Sequence, residues 1–191
     1  MSTLEIITVL FNVLCVVLTI RKNIWCWPTG IVAVILSFVL YYDAKLYADM
    51  GLQIVFLGQC AYGWHYWLNG NKTEEKEVPI RQLQLQQWLI TLVIVVILWL
   101  GMAISLDTWT DADLPYWDAM GTTLSLTAQM LLARKILENW LFWIVVDILY
   151  TGILYYKELY LLSANYFFFL ILAIIGFLQW KKDALAQNLQ P

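Results

Sequence analysis

The chain has 191 residues, of which 62% are apolar and 13% are charged, and its mean hydropathy is +0.70. The charged share is about half of that in ordinary soluble proteins. The 11 basic and 14 acidic residues lie mainly in short patches between long apolar segments. This composition excludes an ordinary soluble domain, and with a net charge of −3 we expect no nucleic-acid partner.

Seven apolar segments have the roughly 17–25 residues that a bilayer-spanning helix needs. In chain order they are 4–20, 26–43, 46–67, 88–105, 115–133, 139–156 and 160–180. The first is interpreted as a membrane helix and not as a cleaved signal peptide, because Arg21 and Lys22 follow it where a small-residue cleavage site would stand. We therefore predict one all-α membrane domain over residues 1–191, with a polar, charge-rich connector at 68–87.

The basic residues predict the orientation of these helices, because cytoplasmic loops carry an excess of Lys and Arg. With seven spans, one side of the membrane receives nine of the eleven: Arg21, Lys22, Lys72, Lys76, Arg81, Arg134, Lys135, Lys181 and Lys182. The other side receives only Lys45 and Lys157. The nine-residue side is expected to be cytoplasmic, which places the N-terminus outside and the C-terminus inside.

The chain also matches itself without a gap at an offset of 113 residues. Arg21-Lys22 falls on Arg134-Lys135, Trp27 on Trp140, Gly63 on Gly176, and Trp67 on Trp180. Such a duplication is typical of transporters, which are often built from repeated helix bundles around a central site. Helices 1–3 (4–67) and 5–7 (115–180) are the two predicted copies. The unmatched helix 88–105 returns the chain across the membrane, so the copies run parallel in a 3+1+3 arrangement.

One carboxylate is predicted at mid-membrane depth, where an ionisable side chain is expensive and hence a functional candidate. Asp147 follows Trp140 and Trp143 at spacings that place all three on one helix face. Indole rings beside a carboxylate favour a flat, cationic, aromatic ligand. In the first copy, Gly30 and Val34 stand where Trp143 and Asp147 stand in the second. The alternative is a protonated Asp147 hydrogen-bonded to a neighbouring helix, with Trp140 as an interfacial anchor.

Amide side chains within the predicted helices are candidates to complete such a site, because they both donate and accept hydrogen bonds and so suit a hydroxyl-rich group such as ribose. They are Asn12, Gln53, Gln59, Gln129 and Asn165. The alternative for each is a hydrogen bond between helices.

Other notable residues have structural interpretations. Five tryptophans at the predicted cytoplasmic ends of helices are expected to be interfacial anchors: Trp25, Trp27, Trp64, Trp67 and Trp180. Gly63 and Gly176 are expected to allow close helix approach. His65 and three scattered cysteines have neither metal-ligand spacing nor catalytic partners. We therefore expect neither an enzyme nor a metal or cofactor site.

Several of these motifs together resemble the PnuC-type family of bacterial nicotinamide riboside transporters. The similar stretches are 21–30, 45–49, 52–53, 62–64, 114–118, 128–129 and 135–147, the last of which contains the Trp-x-x-Trp-x-x-x-Asp motif at 140–147. They cover nearly the whole chain in order. The resemblance implies substrate binding by Trp140, Trp143 and Asp147, together with Gln53, Gln129 and Asn139.

The resemblance also implies a SWEET-like fold, a homotrimer, and a place in the inner membrane of a bacterium, in the supply of NAD precursors. Transport would be facilitated diffusion of nicotinamide riboside without a coupling ion, made unidirectional when a cytoplasmic kinase phosphorylates the substrate. Two alternatives stay open: thiamine or another vitamin or nucleoside as substrate, and proton coupling through Asp147. A retinal protein is excluded because no lysine lies mid-span, and an intramembrane enzyme lacks a nucleophile–base constellation.

Overall fold

The computed structural model describes residues 3–43, 45, 47–69, 78–110 and 113–188. Within these residues the chain forms seven α-helices, named α1 (Thr3–Ile20), α2 (Cys26–Asp43), α3 (Tyr47–Asn69), α4 (Leu85–Trp109), α5 (Pro115–Ala133), α6 (Asn139–Tyr156) and α7 (Tyr160–Asn188). Each predicted apolar segment corresponds to one of these helices. The charge-rich part of the predicted connector, 70–77, lies outside the described residues.

Five of the described helices are long and apolar enough to cross a membrane, namely α1, α2, α4, α6 and α7. The other two, α3 and α5, carry more polar side chains, including Gln53 and Gln59 on α3 and Gln129 on α5. Amide side chains at mid-span are unfavourable in contact with lipid. A membrane helix that carries them is therefore usually surrounded by other helices. That α3 and α5 also span the membrane stays a prediction.

Two helices, α4 and α7, extend several residues beyond the apolar segments from which they were predicted. At the start of α4, the backbone N–H of Gln84 donates to Oε1 of Gln87 at 3.0 Å, an arrangement that begins the helix before the apolar run. Near the end of α7, Asp183 accepts hydrogen bonds from Gln179 and forms an ion pair of 2.7 Å with Lys22. Polar side chains with such partners extend each helix beyond the part that hydropathy marks.

The described chain divides into two compact units. The first contains α1 to α3, residues 78–80 and 132–135, and α7 from Gln179 onward; the second contains 81–131 and 136–178. In the first unit, α1 packs against α2 and α2 against α3. A β-carbon at Gly63 would overlap the indole of Trp27, and one at Gly30 would lie 3.1 Å from the sulfur of Cys15. The expected close helix approach at Gly63 is therefore confirmed.

Three tryptophans form a buried cluster in the first unit. The ring centres of Trp27 and Trp67 are 5.4 Å apart, and those of Trp67 and Trp180 are 6.1 Å apart. The indole N–H of Trp180 donates to the carbonyl oxygen of Thr19 at 3.1 Å. The ammonium group of Lys135 lies 4.7 Å from the centre of a Trp67 ring, within the range of a cation–π interaction.

The prediction that these three tryptophans are interfacial anchors is wrong. Trp27 and Trp180 are 2% and 0% exposed and Trp67 is 9% exposed, so their rings lie inside the unit. For Trp27 the physical reason is the missing side chain at Gly63, which leaves room for its indole between α2 and α3. Trp67 and Trp180 are held by their ring contacts and by the hydrogen bond of Trp180 to Thr19. Trp25 and Trp64 are exposed, as an anchor requires.

The turns between helices have the same geometry at positions 113 residues apart. Among the described residues, four that are not glycine have a positive φ: Lys22 and Lys135 at 57°, and Lys45 and Glu158 at 59°. Each donates its backbone N–H to the carbonyl oxygen three residues earlier, at 2.9, 2.8, 3.0 and 3.1 Å respectively. Residues with a β-carbon rarely adopt this left-handed conformation. The α1–α2 turn therefore matches the α5–α6 turn, and the α2–α3 turn matches the α6–α7 turn.

Candidate functional site

The candidate site is built on α6, which begins at a tight turn. The backbone N–H groups of Asn139 and Trp140 donate to the carbonyl oxygens of Ile136 and Leu137, at 3.2 and 3.3 Å. The Asn139 side chain is fully buried and its Nδ2 donates to the same Ile136 oxygen at 2.6 Å. Its Oδ1 accepts no hydrogen bond from the described residues. Asn139 thus stabilises the start of α6 through its side-chain NH₂ group, while its side-chain oxygen makes no hydrogen bond within the described residues.

The second unit packs its other helices around α6. Its apolar core combines residues of α4, α5 and α6, namely Val95, Leu124, Ala128, Leu131, Phe142 and Val146. Trp88 of α4 stacks on Phe142 with ring centres 5.9 Å apart. On α7, Ser163 donates its hydroxyl to the carbonyl oxygen of Thr151 at 2.8 Å. The helix that carries the candidate residues therefore contacts three neighbours, and its side chains are held by packing.

Trp140 lies between α6 and α7. A β-carbon at Gly176 would be 2.6 Å from its ring atoms, so the absence of a side chain at Gly176 makes room for the indole. Trp140 is 3% exposed, and this burial rules out the interfacial anchor that was the alternative. The expected close approach at Gly176 is confirmed, and it repeats the contact of Trp27 with Gly63 at the 113-residue offset.

Asp147 is 5% exposed in the middle of α6, one turn after Trp143. Trp143 is partly buried and packs against the apolar core of the second unit. No residue that the structure describes makes a hydrogen bond or an ion pair with the Asp147 carboxyl group. A buried carboxyl group without a partner is unfavourable. The alternative of a neighbouring helix that bonds Asp147 therefore gains no support, and the group is available to a ligand.

Tyr150 extends this helix face, and sequence reasoning missed it. A β-carbon added at Gly121 of α5 would lie only 2.6 Å from the Tyr150 hydroxyl oxygen. The ring centre of Tyr150 is 5.0 Å from that of Tyr166 on α7. The sequence spacing could have identified it, because Tyr150 follows Asp147 by three residues and Trp143 by seven, which places all three on one helix face. An aromatic ring therefore lies on each side of Asp147 along α6.

The predicted amides are distributed over several helices. Gln129 on α5 and Asn165 on α7 are partly buried in the second unit. Gln53 and Gln59 on α3 are buried and belong to the first unit. Six residues correspond to roughly 240° of rotation around a helix, so these two glutamines point to different sides. Gln53 also donates to the carbonyl oxygen of Asp49, at 3.5 Å.

The remaining polar candidates have local partners. Asn12 donates to the carbonyl oxygen of Thr8 at 3.0 Å, and the Cys15 thiol donates to that of Cys26 at 3.2 Å. His65 is exposed near the end of α3, with its Nδ1 3.3 Å from Nδ2 of Asn69. Within the described parts of the chain, no three His, Cys, Asp or Glu residues cluster closely enough to hold a metal ion.

Among the described residues, five helices that are long and apolar enough to cross a membrane define a multi-pass membrane protein. The sequence model for the nicotinamide mononucleotide transporter family matches residues 2–182. The chain therefore belongs to this family, and it is a multi-pass membrane protein of a bacterial transporter family.

Three known transporters are similar to the chain, two of them along nearly its full length. The nicotinamide riboside transporter PnuC of Escherichia coli is 26% identical over 96% of this chain and 87% of its own length. The protein of the same name from Neisseria mucosa is 28% identical over 95% of this chain and 73% of its own length. The riboflavin/roseoflavin transporter RibM of Streptomyces davaonensis is 26% identical over 73% of this chain and 66% of its own length.

A solved structure described as the vitamin B3 transporter PnuC has a similar fold. It superimposes with a TM-score of 0.77 at 26% identity, covering 97% of this chain and 83% of the other. The resemblance inferred from the sequence motifs is therefore confirmed at the level of the family.

Proposed function

We propose that this protein imports nicotinamide riboside across the bacterial cytoplasmic membrane. The observation that carries the proposal is the Asp147 carboxyl group, which is buried beside Trp143 without a bonding partner among the described residues. The relatives named as nicotinamide riboside transporters support the choice of substrate. In this proposal the cationic ring of the substrate is the positively charged partner of the Asp147 carboxylate.

The chemistry of nicotinamide riboside suits the residues proposed to bind it. Its pyridinium ring is flat, aromatic and cationic, so an indole ring attracts it by stacking and by the cation–π interaction. Trp143 and Trp140 supply these rings, and Asp147 the counter-charge. The ribose and carboxamide groups need hydrogen-bond donors and acceptors, which we assign to Gln129, Asn139 and Asn165. For Gln53 and Gln59 the same role stays a prediction from the sequence.

We further propose that the fold is a 3+1+3 parallel repeat within one membrane domain, as in SWEET transporters. Two observations support it: the matched turns with positive φ, and the matched contacts of Trp27 with Gly63 and of Trp140 with Gly176. The basic residues favour a cytoplasmic C-terminus and an outer N-terminus. The two copies would then move relative to the bound substrate to give alternating access.

Transport is proposed to be facilitated diffusion, because Asp147 is a single carboxylate and the described residues offer it no proton relay. Direction would come from a cytoplasmic kinase, since phosphorylation adds negative charge and prevents the return of the substrate. A homotrimer is proposed on the family resemblance. Proton coupling through Asp147 is the competing mechanism, and uptake with and without a proton gradient separates the two.

A second candidate substrate is riboflavin, which the similarity to RibM favours. Its ring system is flat and aromatic but carries no positive charge. Tryptophan rings would bind it, whereas the negative charge of a carboxylate would find no positive charge on it to pair with. Thiamine, which is cationic like nicotinamide riboside, is the other alternative. The response of each affinity to the charge of Asp147 therefore separates riboflavin from the two cationic candidates.

Isothermal titration of the purified protein tests the proposal. We expect binding of nicotinamide riboside that is strongly weakened in Asp147→Asn, and weaker binding of thiamine and riboflavin. Nicotinamide, which is the uncharged base, should bind poorly, because it lacks both the charge and the ribose. Tight binding of riboflavin that is unaffected by Asp147→Asn would contradict the proposed substrate.

A further inference from the structure

Glu138 is the residue directly before α6, and its side chain is directed away from its own helix. An acidic residue at this position usually accepts a hydrogen bond from the first turn of the helix. The Glu138 side chain makes no such bond. It is 8% exposed, and its Oε2 accepts the backbone N–H of Leu83 at 3.1 Å. A buried carboxylate thus joins the start of α6 to a segment more than fifty residues earlier in the chain.

That segment is the non-helical stretch before α4, which contains one isolated β-bridge residue, Arg81, and which we call the connector strand (residues 81–84). The backbone N–H of Leu137 donates to the carbonyl oxygen of Arg81 at 2.9 Å, and Arg81 and Ile136 form a parallel bridge. The Leu83 side chain packs against the apolar core of the second unit. The connector strand is therefore attached to the α5–α6 turn by two hydrogen bonds, one of which depends on Glu138.

The residue type at position 138 differs from that at the matching position of the first copy, although the backbone makes the same hydrogen bond at both. The residue at the matching position of the first copy is Trp25, which is 65% exposed. The backbone carbonyl oxygen of Trp25 accepts the N–H of Thr29 at 3.2 Å. In the same way, the backbone carbonyl oxygen of Glu138 accepts the N–H of Phe142 at 3.3 Å. The turn therefore forms with either side chain. Glu138 shares with Trp143 and Asp147 the property of being present only in the second copy.

We propose that Glu138 is a positioning residue for transport. Through Leu83 it couples the connector strand, and with it α4, to the start of the helix that carries Trp140, Trp143 and Asp147. The stacking of Trp88 on Phe142 joins the same two helices one turn further along. The site helix and α4 then move as one body during alternating access. The inference rests on the proposed transport function, and it concerns the rate of conversion between states and not the affinity for substrate.

Two pairs of variants test the hydrogen bond from both sides. Glu138→Ala removes the acceptor and Glu138→Gln keeps one; Leu83→Pro removes the donor and Leu83→Ala keeps it. Because a hydrogen bond to a charged group is lost, we expect Glu138→Ala and Leu83→Pro to lower the maximal uptake rate of nicotinamide riboside by about tenfold. Each matched control should stay within roughly twofold of the natural protein, and all four should keep its affinity by titration. A parallel loss of affinity and rate, or uptake unchanged in Glu138→Ala, would overturn the proposal.

Hydrogen exchange measured by mass spectrometry supplies a readout that needs no substrate. If Glu138 holds the connector strand, the Leu137 amide, which bonds Arg81, exchanges faster in Glu138→Ala but not in Glu138→Gln. Equal exchange in both variants would refute the coupling. If the natural protein neither binds nor carries nicotinamide riboside, the proposed function fails, and the exchange result still decides whether Glu138 couples the two segments. If Glu138→Ala does not fold, the Leu83 pair gives the decision.

Discussion

Gly176→Ala is the substitution that most directly connects packing with the candidate site. The added β-carbon would lie 2.6, 2.6 and 2.7 Å from three ring atoms of Trp140. Ordinary van der Waals contact begins near 3.4 Å, so the indole must move by about 0.8 Å. Trp140 is 3% exposed, so its ring is enclosed by the protein and a shift must be taken up by neighbouring side chains. Overpacking of this kind typically lowers the free energy of unfolding by about 1–3 kcal/mol.

We expect Gly176→Ala both to lower the thermal stability of the purified protein and to weaken nicotinamide riboside binding by about tenfold, through loss of ring stacking. Gly63→Ala is the matched control, because it displaces Trp27, which is outside the proposed site, and should reduce stability alone. Gly152→Ala has nothing within 4 Å of its added β-carbon and should change neither property. Thermal unfolding and isothermal titration measure the two effects. If Gly176→Ala destabilises like Gly63→Ala but binds substrate normally, Trp140 has no role in the site.

Three further predictions test single interactions. Asp147→Asn should weaken nicotinamide riboside binding by about tenfold or more, since it removes a buried counter-charge; an unchanged titration would contradict that role. Trp143→Ala should weaken the same binding by roughly three- to tenfold through lost cation–π attraction, and a pure stability loss would make Trp143 a packing residue only. Trp180→Phe should lower the free energy of unfolding by about 1 kcal/mol more than Trp27→Phe. The reason is that the indole N–H of Trp180 bonds Thr19, whereas that of Trp27 has no partner among the described residues; equal losses would contradict this.

Hydropathy and turn chemistry were enough to predict most of the helix boundaries. Arg21-Lys22 ends α1, Pro115 begins α5 where its missing N–H does no harm, and the predicted limits of α6 agree with the structure. The end of α7 was not predictable in this way. Its last two turns are polar, and they are held by the pairing of Asp183 with Lys22, which depends on the tertiary structure.

The candidate site was predictable only in part. Asp147 was identified because a carboxylate in an apolar helix is rare whatever surrounds it. Trp67 and Trp180 resembled interfacial anchors, because an indole at a helix end has the same sequence signature whether lipid or protein surrounds it. Glu138 has the signature of a solvated charge at a helix end. Its burial against Leu83 depends on a contact between distant segments, which no local pattern records.

Uptake of labelled nicotinamide riboside into proteoliposomes is the most direct test of the central claim. With the purified protein and no ion gradient, we expect the internal concentration to rise until it equals the external one. Liposomes without protein should stay empty, and those with Asp147→Asn should fill far more slowly. Absence of uptake by the folded natural protein would contradict the proposed substrate. If an imposed proton gradient drives accumulation above the external concentration, and this accumulation is lost when the gradient is dissipated, facilitated diffusion is contradicted.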